Sequence, residues 1–307
     1  MAASNAENHP SENHPKTNLL MPIIDIHVHI QPWEQLKPGV REKMTAGRSD
    51  LAAIEQFIKS PRAFLEFLDA NGIEAAGLIN YPSPDLMGFT AATNDFVAHY
   101  CQENPRRLIA FGGVHPRFCD DVDTELTRLL RLGIRCLKVH PPHQAIGANV
   151  YRSGNAAQET LYRRAERENL LMMFHGGTSI FPGARNVFAD TMPIDDVAVD
   201  FPNLKIIIAH AGRPLHTETT FFLLRRHRNV HIDISGIPPK KLLDYLPRLA
   251  EIADKTLWGT DWPSPGVWDM RKNVEAFLSL PLSDELKNAI LHENARRLLR
   301  ACGALPD

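Results

Sequence analysis

The sequence contains little cysteine and no long apolar stretch. Its 307 residues include only four cysteines, and no two of them form a C-x-x-C pair. This pattern argues against a disulfide framework and against a cysteine-rich zinc site. No apolar stretch reaches the roughly 20 residues that a membrane-spanning helix needs. We therefore expect a cytoplasmic protein with reduced thiols and no membrane partner.

Neither sign of charge dominates the sequence. It has 34 Lys and Arg residues against 36 Asp and Glu residues, a formal net charge of −2. Proteins that bind nucleic acids concentrate basic residues on one face, and no such cluster is visible here. The hydrophobic share of 44% and the charged share of 23% are typical of a globular protein with a large core. These values favour a small-molecule substrate and argue against a nucleic acid.

The first 20 residues differ from the rest of the chain. They are mostly small and polar, include two prolines and have no apolar core, which predicts a disordered N-terminal tail over residues 1–20. From residue 21 onward, short apolar runs rich in β-forming residues alternate with amphipathic helical patterns. The eight predicted strands are Ile23–Ile30, Glu74–Asn80, Leu108–Val114, Ile134–Val139, Leu171–Phe174, Leu204–Ala209, Val230–Ile234 and Thr256–Gly259.

Helical patterns separate these strands. Alternation of strands and helices predicts a parallel sheet, and eight units over residues 21–307 fit a single α/β domain, a (β/α)₈ TIM barrel of about 250 residues. An open, doubly wound sheet is less well supported, because the first strand is not followed by a G-x-G-x-x-G turn. Extra C-terminal helices are predicted at Asp269–Leu278 and Ser283–Arg300, with Asn294 as an N-cap. The helices predicted between strands include Pro61–Asn71, Thr90–Glu103, Val122–Leu132, Ala156–Glu168, Leu215–Arg226 and Lys240–Leu249.

Metal-ligating side chains occur where several predicted strands end. His27 and His29 are two residues apart on the first strand, so their side chains point to the same face. His175, His210 and Asp261 follow the fifth, sixth and eighth strands. The C-terminal ends of barrel strands carry the active site, so these five side chains are expected to meet at one mouth. Neutral imidazoles and a carboxylate suit zinc and similar divalent ions.

Four motifs give the sequence a family resemblance. D-I-H-V-H on the first strand, H-G after the fifth, I-I-A-H-A-G at the sixth and W-G-T-D-W-P at the eighth resemble the amidohydrolase superfamily. The resemblance is strongest to its amidohydrolase-related group, which contains aminocarboxymuconate-semialdehyde decarboxylase. It covers about residues 22 to 300. It implies one divalent ion, with zinc first and manganese, cobalt or iron as alternatives. The metal ligands that the resemblance implies are His27, His29, His175 and Asp261.

The resemblance also implies roles for the residues next to the metal. His210 is the implied catalytic histidine, and Asp261 both ligates the metal and moves a proton. Lys138 ends the fourth strand, where binuclear relatives carry a carboxylated lysine that bridges two metals, although in many mononuclear relatives a similar lysine bridges nothing. Asp233 on the seventh strand is interpreted as orienting a neighbouring group.

Four further side chains are candidates for contacting the substrate. Arg213 could bind a substrate carboxylate through its planar guanidinium, or form a salt bridge that holds its loop. His140 could face the site or belong to the turn before Pro141. Asn80 ends the second strand and could touch substrate or cap a loop. Trp262, next to Asp261, is also predicted to contact substrate.

Three functions remain open at this point. The leading hypothesis is a metal-dependent hydrolase of an ester, lactone or amide bond in a small, anionic substrate. A non-oxidative decarboxylase with the same metal ligands is the alternative, and it would commit an arginine to the substrate carboxylate, for which Arg213, Arg185 and Arg117 are available. A catalytically inactive barrel that acts as a binding protein is the third. Relatives are often dimers, so a homodimer is possible.

Overall fold

A computed structural model describes residues 21–306, so the predicted disordered tail lies outside the described residues. The described chain forms one sheet of eight parallel strands, in which each strand pairs with the next along the sequence. The strands are β1 (Ile24–Val28), β2 (Ala75–Ile79), β3 (Leu108–Gly112), β4 (Cys136–Val139), β5 (Leu171–His175), β6 (Lys205–Ala209), β7 (Val230–Asp233) and β8 (Thr256–Leu257). All eight predicted strands are present.

Hydrogen bonds between the β1 region and the segment that follows β8 close the sheet into a barrel. The β8 strand is only two residues long, but the chain that follows it continues along β1. The amide of Ile26 donates to the carbonyl of Trp258 at 3.0 Å, and the amide of His29 donates to the carbonyl of Trp262 at 2.7 Å. In the opposite direction, the amide of Asp261 donates to the carbonyl of His27 at 2.8 Å. These contacts confirm the predicted TIM barrel.

Helices surround the barrel and bury their apolar faces against it. In the helix from Val122 to Arg131, Val122, Leu126 and Leu129 are buried, and the Asp121 side chain caps the first turn by accepting hydrogen bonds from two backbone amides. The helices are α1 (Pro38–Thr45), α2 (Leu51–Lys59), α3 (Pro61–Asn71), α4 (Ala92–Cys101), α5 (Val122–Arg131), α6 (Pro141–Gln144), α7 (Ala156–Arg167), α8 (Pro193–Asp200), α9 (Thr217–Arg226), α10 (Leu242–Tyr245), α11 (Met270–Leu278), α12 (Asp284–Asn288) and α13 (Asn294–Ala301). Among the described residues, no helix combines the length and apolarity needed to cross a membrane.

Two predicted helix boundaries are wrong. The helix predicted over Lys240–Leu249 shrinks to α10, because Pro247 excludes the helical conformation at the preceding residue, Leu246, which has φ −127° and ψ 69°. The predicted N-cap at Asn294 lies inside a continuous helical segment, because a π-helical turn (Ala289–Glu293) joins α12 to α13. The Asn294 amide instead donates to the carbonyls of Ala253 and Thr256, which anchors the last helix under β8.

Candidate active site

A polar cavity of about 240 Å³ opens at the C-terminal ends of the barrel strands. Six histidines, one carboxylate, one lysine and one arginine contribute to its wall, and apolar side chains from the loops after β1, β2 and β5 complete it. Of the ten candidate site residues, eight line this cavity: His27, His29, Lys138, His140, His175, His210, Arg213 and Asp261. Most of the candidate residues predicted from the strand ends therefore lie around one cavity.

His27, His29 and Asp261 form one face of the cavity. The Oδ1 atom of Asp261 lies 2.9 Å from Nε2 of His29 and 3.7 Å from Nε2 of His27. Burial would raise the pKa of Asp261, but the hydrogen bond from His29 and the nearby His27 and Arg213 outweigh this effect and lower it. The Asp261 carboxylate is therefore charged and points at two imidazoles.

Asp233 sets the orientation and tautomer of His27. Its Oδ2 atom lies 2.8 Å from Nδ1 of His27, and both side chains are fully buried. Burial would raise the pKa of Asp233, but His27 and Lys138 overcome it and hold the value at about 2. Burial and the nearby Lys138 lower the pKa of His27 to about 4, against the opposing effect of Asp233. A neutral His27 therefore donates from Nδ1 to the carboxylate and presents the lone pair of Nε2 to the cavity.

His210 is also held by Asp233, through the other carboxylate oxygen. Its backbone amide donates to Oδ1 of Asp233 at 3.0 Å, and its Nδ1 donates to the carbonyl of Ser235 at 3.0 Å. This leaves Nε2 as the acceptor nitrogen. Burial and the neighbouring His175 and Arg213 hold the pKa of His210 well below its ordinary value. The contribution of Ser235 is not apparent from any motif, although it stands two residues after Asp233.

The two residues predicted to be catalytic share an unusual backbone conformation. His210 has φ +60° and Asp261 has φ +72°, in the left-handed region that non-glycine residues seldom adopt. Such strain persists where the surrounding structure holds the residue in place, and it concentrates at functional sites. The hydrogen bonds from the amides of His210 to Asp233 and of Asp261 to His27 supply that restraint.

The donor atoms of this cavity fit a divalent metal. One ligand atom each from His27, His210 and Asp261 lies within 4.8 Å of the others. Nε2 of His27, Nε2 of His175 and Nδ1 of His29 are buried without a hydrogen-bond partner among the described residues. Buried polar atoms ordinarily have partners, so these nitrogens are consistent with metal ligands. This compact triad contains His210, whereas the resemblance assigns His29 and His175 to the metal and His210 to catalysis.

Lys138 projects into the same cavity from β4. It is 1% exposed, and its Nζ has no hydrogen-bond partner among the described residues. Burial lowers its pKa to about 8, although the carboxylates of Asp233 and Asp261 oppose the shift. The lysine therefore stands where the sequence predicts it and carries an amine free for a ligand.

His140 belongs to a stack of imidazoles that the sequence reasoning only partly anticipated. Its ring lies 3.7 Å from that of His175 and 3.4 Å from that of His143, with interplanar angles of 14° in both cases. His143 was missed, as was Tyr81, whose hydroxyl lies 2.8 Å from Nδ1 of His143. The signal for His143 is the H-P-P-H pattern, because prolines favour the first turn of a helix and α6 brings residues three apart together.

Arg213 lies at the edge of the cavity. Its Nη2 is 3.8 Å from Oδ2 of Asp261, and its side chain is 22% exposed. The carbonyl of Arg213 accepts a hydrogen bond from the amide of Thr178 at 3.1 Å, which ties it to the loop after β5. This wide ion pair leaves guanidinium donors for a substrate, so both predicted roles of Arg213 are compatible with its position.

Two predicted substrate contacts lie elsewhere. The Asn80 side chain is fully buried, donates to the carbonyl of Ile30 at 3.0 Å and accepts from the hydroxyl of Thr93 at 2.8 Å. It therefore fixes a loop and does not line the cavity. The Trp262 ring is 2% exposed and packs outside the barrel, 5.0 Å from the ring of Phe67.

Asp25 is a further buried carboxylate that the sequence reasoning missed. It accepts hydrogen bonds from the amide and hydroxyl of Thr260, at 3.0 Å and 2.7 Å, and from the amide of His27 at 3.1 Å. Burial raises its pKa to about 7, although these hydrogen bonds oppose the shift. Asp25 thus joins β1 to the segment that carries Asp261.

Solved structures share this fold. A TIM-barrel protein from Bordetella bronchiseptica, described as uncharacterised, has a TM-score of 0.74 and 22% identity over 92% of this chain and 100% of its own. A probable 2-pyrone-4,6-dicarboxylic acid hydrolase from Acinetobacter baumannii has a TM-score of 0.65 and 16% identity over 91% and 99%. The 5-carboxyvanillate decarboxylase of Sphingomonas paucimobilis has a TM-score of 0.63 and 18% identity over 91% and 99%. No curated protein sequence matches the chain.

A protein-family comparison extends the likeness from the fold to the sequence. The family model described as Amidohydrolase matches residues 24–301. This range contains all eight strands and every side chain of the cavity described above. The chain therefore belongs to the amidohydrolase family of metal-dependent enzymes.

Proposed function

We propose that the protein is a metal-dependent hydrolase that cleaves an ester, lactone or amide bond in a small, anionic substrate. The observation that carries the proposal is the convergence of the His27 and His29 imidazoles on the Asp261 carboxylate, beside the guanidinium of Arg213. The imidazoles offer unpartnered nitrogens, and the guanidinium offers a cation for the substrate.

The residues that would hold the metal are His27, His29, His175 and Asp261, with His210 beside them. When bound, a divalent ion such as zinc polarises a carbonyl and lowers the pKa of water towards about 7. Manganese, cobalt and iron suit the same donor set. Because Nδ1 of His27 is committed to Asp233, His27 would bind through Nε2.

His210 and Arg213 supply the remaining chemistry. Nδ1 of His210 is held by the Ser235 carbonyl, so Nε2 can accept the proton of the attacking water. The low pKa of the buried imidazole favours rapid release of that proton to the leaving group. Arg213 orients the substrate by binding its carboxylate in a bidentate pair.

A non-oxidative decarboxylase is the second candidate. Two cationic side chains, Lys138 and Arg213, line the cavity and could hold a carboxylate that is to be expelled. Their positions do not distinguish a carboxylate that anchors the substrate from one that leaves as CO₂. The products therefore decide between the two reactions.

The test combines metal content with product analysis. Protein purified without chelator should contain about one divalent metal per chain by inductively coupled plasma mass spectrometry. From a panel of carboxylated esters, lactones and amides, it should form products with a new carboxylate and release no CO₂. Two metals would support a bridging role for Lys138. CO₂ release would establish the decarboxylase instead. No metal after reconstitution, with no turnover, would favour the binding protein.

Substitution of Asp261 tests the site itself. Asp261→Ala and the closer mimic Asp261→Asn should fold with the wild-type circular dichroism spectrum but lose turnover. Asp254→Ala, a control at an exposed aspartate nearby in the sequence, should keep wild-type turnover. Near-wild-type turnover in both Asp261 variants would contradict the mechanism. We also expect a cytoplasmic enzyme, because all four cysteines are free, and a homodimer is a further expectation from the resemblance.

A further inference from the structure

A second cavity adjoins the candidate active site. Its volume is about 660 Å³, and it is lined by the loops that follow β1, β2, β3, β4 and β5. His143 lines both this cavity and the active-site cavity. We call the second cavity the basic vestibule, after three cationic side chains in its wall: Lys37, Arg117 and Arg185.

The cations of the basic vestibule are only partly neutralised. Asp85 is the single carboxylate among its described lining residues. Nη2 of Arg117 lies 2.6 Å from Oδ2 of Asp85, and Nζ of Lys37 bonds the backbone carbonyl of the same residue. The backbone amide of Arg185 donates to the Pro142 carbonyl at 2.9 Å, but the structure gives its guanidinium no ion pair or hydrogen bond with a described residue. An anion in the vestibule would thus meet a free guanidinium and excess positive charge.

The two cavities meet at His143, the one residue that their described linings share. Nδ1 of His143 lies 2.8 Å from the hydroxyl of Tyr81, and its Nε2 lies 2.7 Å from Oγ of Ser179. Both nitrogens are therefore committed, and burial lowers the pKa of His143 to about 3, so the ring adds no charge of its own. A substrate that reached from one cavity to the other across this ring would place one end near Arg213 and the other in the basic vestibule.

We propose that the basic vestibule is a second anion subsite, so that the enzyme acts on a dicarboxylate. One carboxylate binds Arg213 in the active-site cavity, and the distal carboxylate binds Arg185, with Lys37 and Arg117 adding to the attractive potential. The inference rests on the proposed function for the place of the first carboxylate. It extends that function by specifying two separated negative charges on the substrate.

Binding measurements test this subsite without requiring turnover. Linear dicarboxylates from malonate to suberate, and monocarboxylates of matched length, are titrated by calorimetry into metal-loaded protein. We expect one chain length to bind at least about tenfold more tightly than its monocarboxylate partner, since a charge-assisted bidentate pair supplies about 1.4 kcal/mol or more. Arg185→Gln should remove this difference in affinity between the dicarboxylate and the monocarboxylate. Arg106→Gln, an exposed control just before the N-terminal end of β3, should leave it unchanged.

Two outcomes would overturn the inference. One is equal affinity for dicarboxylates and monocarboxylates at every length, and the other is an Arg185→Gln variant that keeps the wild-type ratio. Competition by inorganic phosphate is a further test, because phosphate should compete with the dicarboxylate and not with the monocarboxylate. Phosphate binding that requires Arg185 but leaves dicarboxylate affinity unchanged would indicate a separate effector and contradict the proposal. Metal content and turnover, measured independently, show whether the hydrolase assignment itself fails.

Discussion

The Asp233→Asn variant should bind metal more weakly because it reverses the tautomer of His27. Three donors face Oδ1 of Asp233: the amide of His210, the amide of Ser235 and the hydroxyl of Ser235. The asparagine oxygen must stay at that position, which places the new NH₂ group opposite Nδ1 of His27, 2.8 Å away in the native site. Nδ1 then accepts a hydrogen bond, the ring proton moves to Nε2, and His27 loses the lone pair that faces the cavity.

The size of the effect follows from comparable sites. Loss of a partner that orients a metal-ligating histidine costs about 10–100-fold in metal affinity, or about 1.4–2.8 kcal/mol. Three of the four hydrogen bonds to Asp233 are unchanged in Asp233→Asn and the fourth is reversed, so the free energy of unfolding should fall by only about 1–3 kcal/mol. Metal affinity is measured by competition with a chelating zinc dye, and stability is measured by urea unfolding of the metal-free protein.

Asp25→Asn is the matched control for this prediction. Asp25 is also a fully buried carboxylate near β1, but its Oδ2 faces the hydroxyl of Thr260, which can rotate to accept a hydrogen bond from the new amide. The Asp25→Asn substitution should therefore change metal affinity by less than about threefold. Asp233→Asn with metal affinity within threefold of wild type would refute the tautomer argument, as would an equal loss in both variants.

Three further predictions concern stability. Asn80→Ala leaves the Ile30 carbonyl and the Thr93 hydroxyl unpaired, so it should cost about 1–3 kcal/mol in urea unfolding while metal affinity stays unchanged. Trp262→Ala opens the aromatic cluster outside the barrel and should cost about 3–5 kcal/mol in the same measurement. Burial lowers the pKa of His115 to about 4 and that of His143 to about 3. The unfolded state therefore binds protons that the folded state excludes between about pH 6.5 and 4, and the free energy of unfolding should fall as the pH drops through that window.

Separate results would contradict each of these expectations. A loss of metal affinity in Asn80→Ala would place that residue closer to the site than its hydrogen bonds indicate. A Trp262→Ala variant with wild-type stability would mean that the aromatic cluster contributes little packing energy. An unfolding free energy that stays constant from pH 7 to 4 would show that the folded protein protonates its buried histidines as readily as the unfolded chain does.

Strand periodicity explains why much of the site was predictable. His27 and His29 share a face because side chains on a strand repeat every two residues. His175 and His210 end parallel strands that pair directly with each other, so neighbouring strand ends place them together, with ring centroids 4.7 Å apart. These relations depend only on strand order and on the place where each strand stops, and both can be inferred from apolar patterning.

Side chains beyond the strand ends were less predictable because local backbone turns decide their direction. The left-handed conformation of Asp261 turns the chain so that Trp262 packs outside the barrel. Nothing in the residue type of an aspartate indicates that conformation. Asn80 likewise finds its partners in Ile30 and Thr93, which are distant in sequence. Ser235 acts through its backbone carbonyl, which accepts from His210, and through its hydroxyl, which donates to Asp233. A single serine after a strand gives no signal of either contact.

The seam between β1 and β8 links ligand binding to the cohesion of the barrel. The segment that completes the ring beside β1 is also the segment that carries Asp261, and His27 lies directly across from it. An ion bound by both side chains, as we propose, would hold the two segments together, since they could separate only after the ion leaves. At an ion concentration 100-fold above the dissociation constant, this coupling adds about 2.7 kcal/mol to the cost of local opening. Loss of such an ion should therefore loosen the barrel beside the proposed catalytic residues.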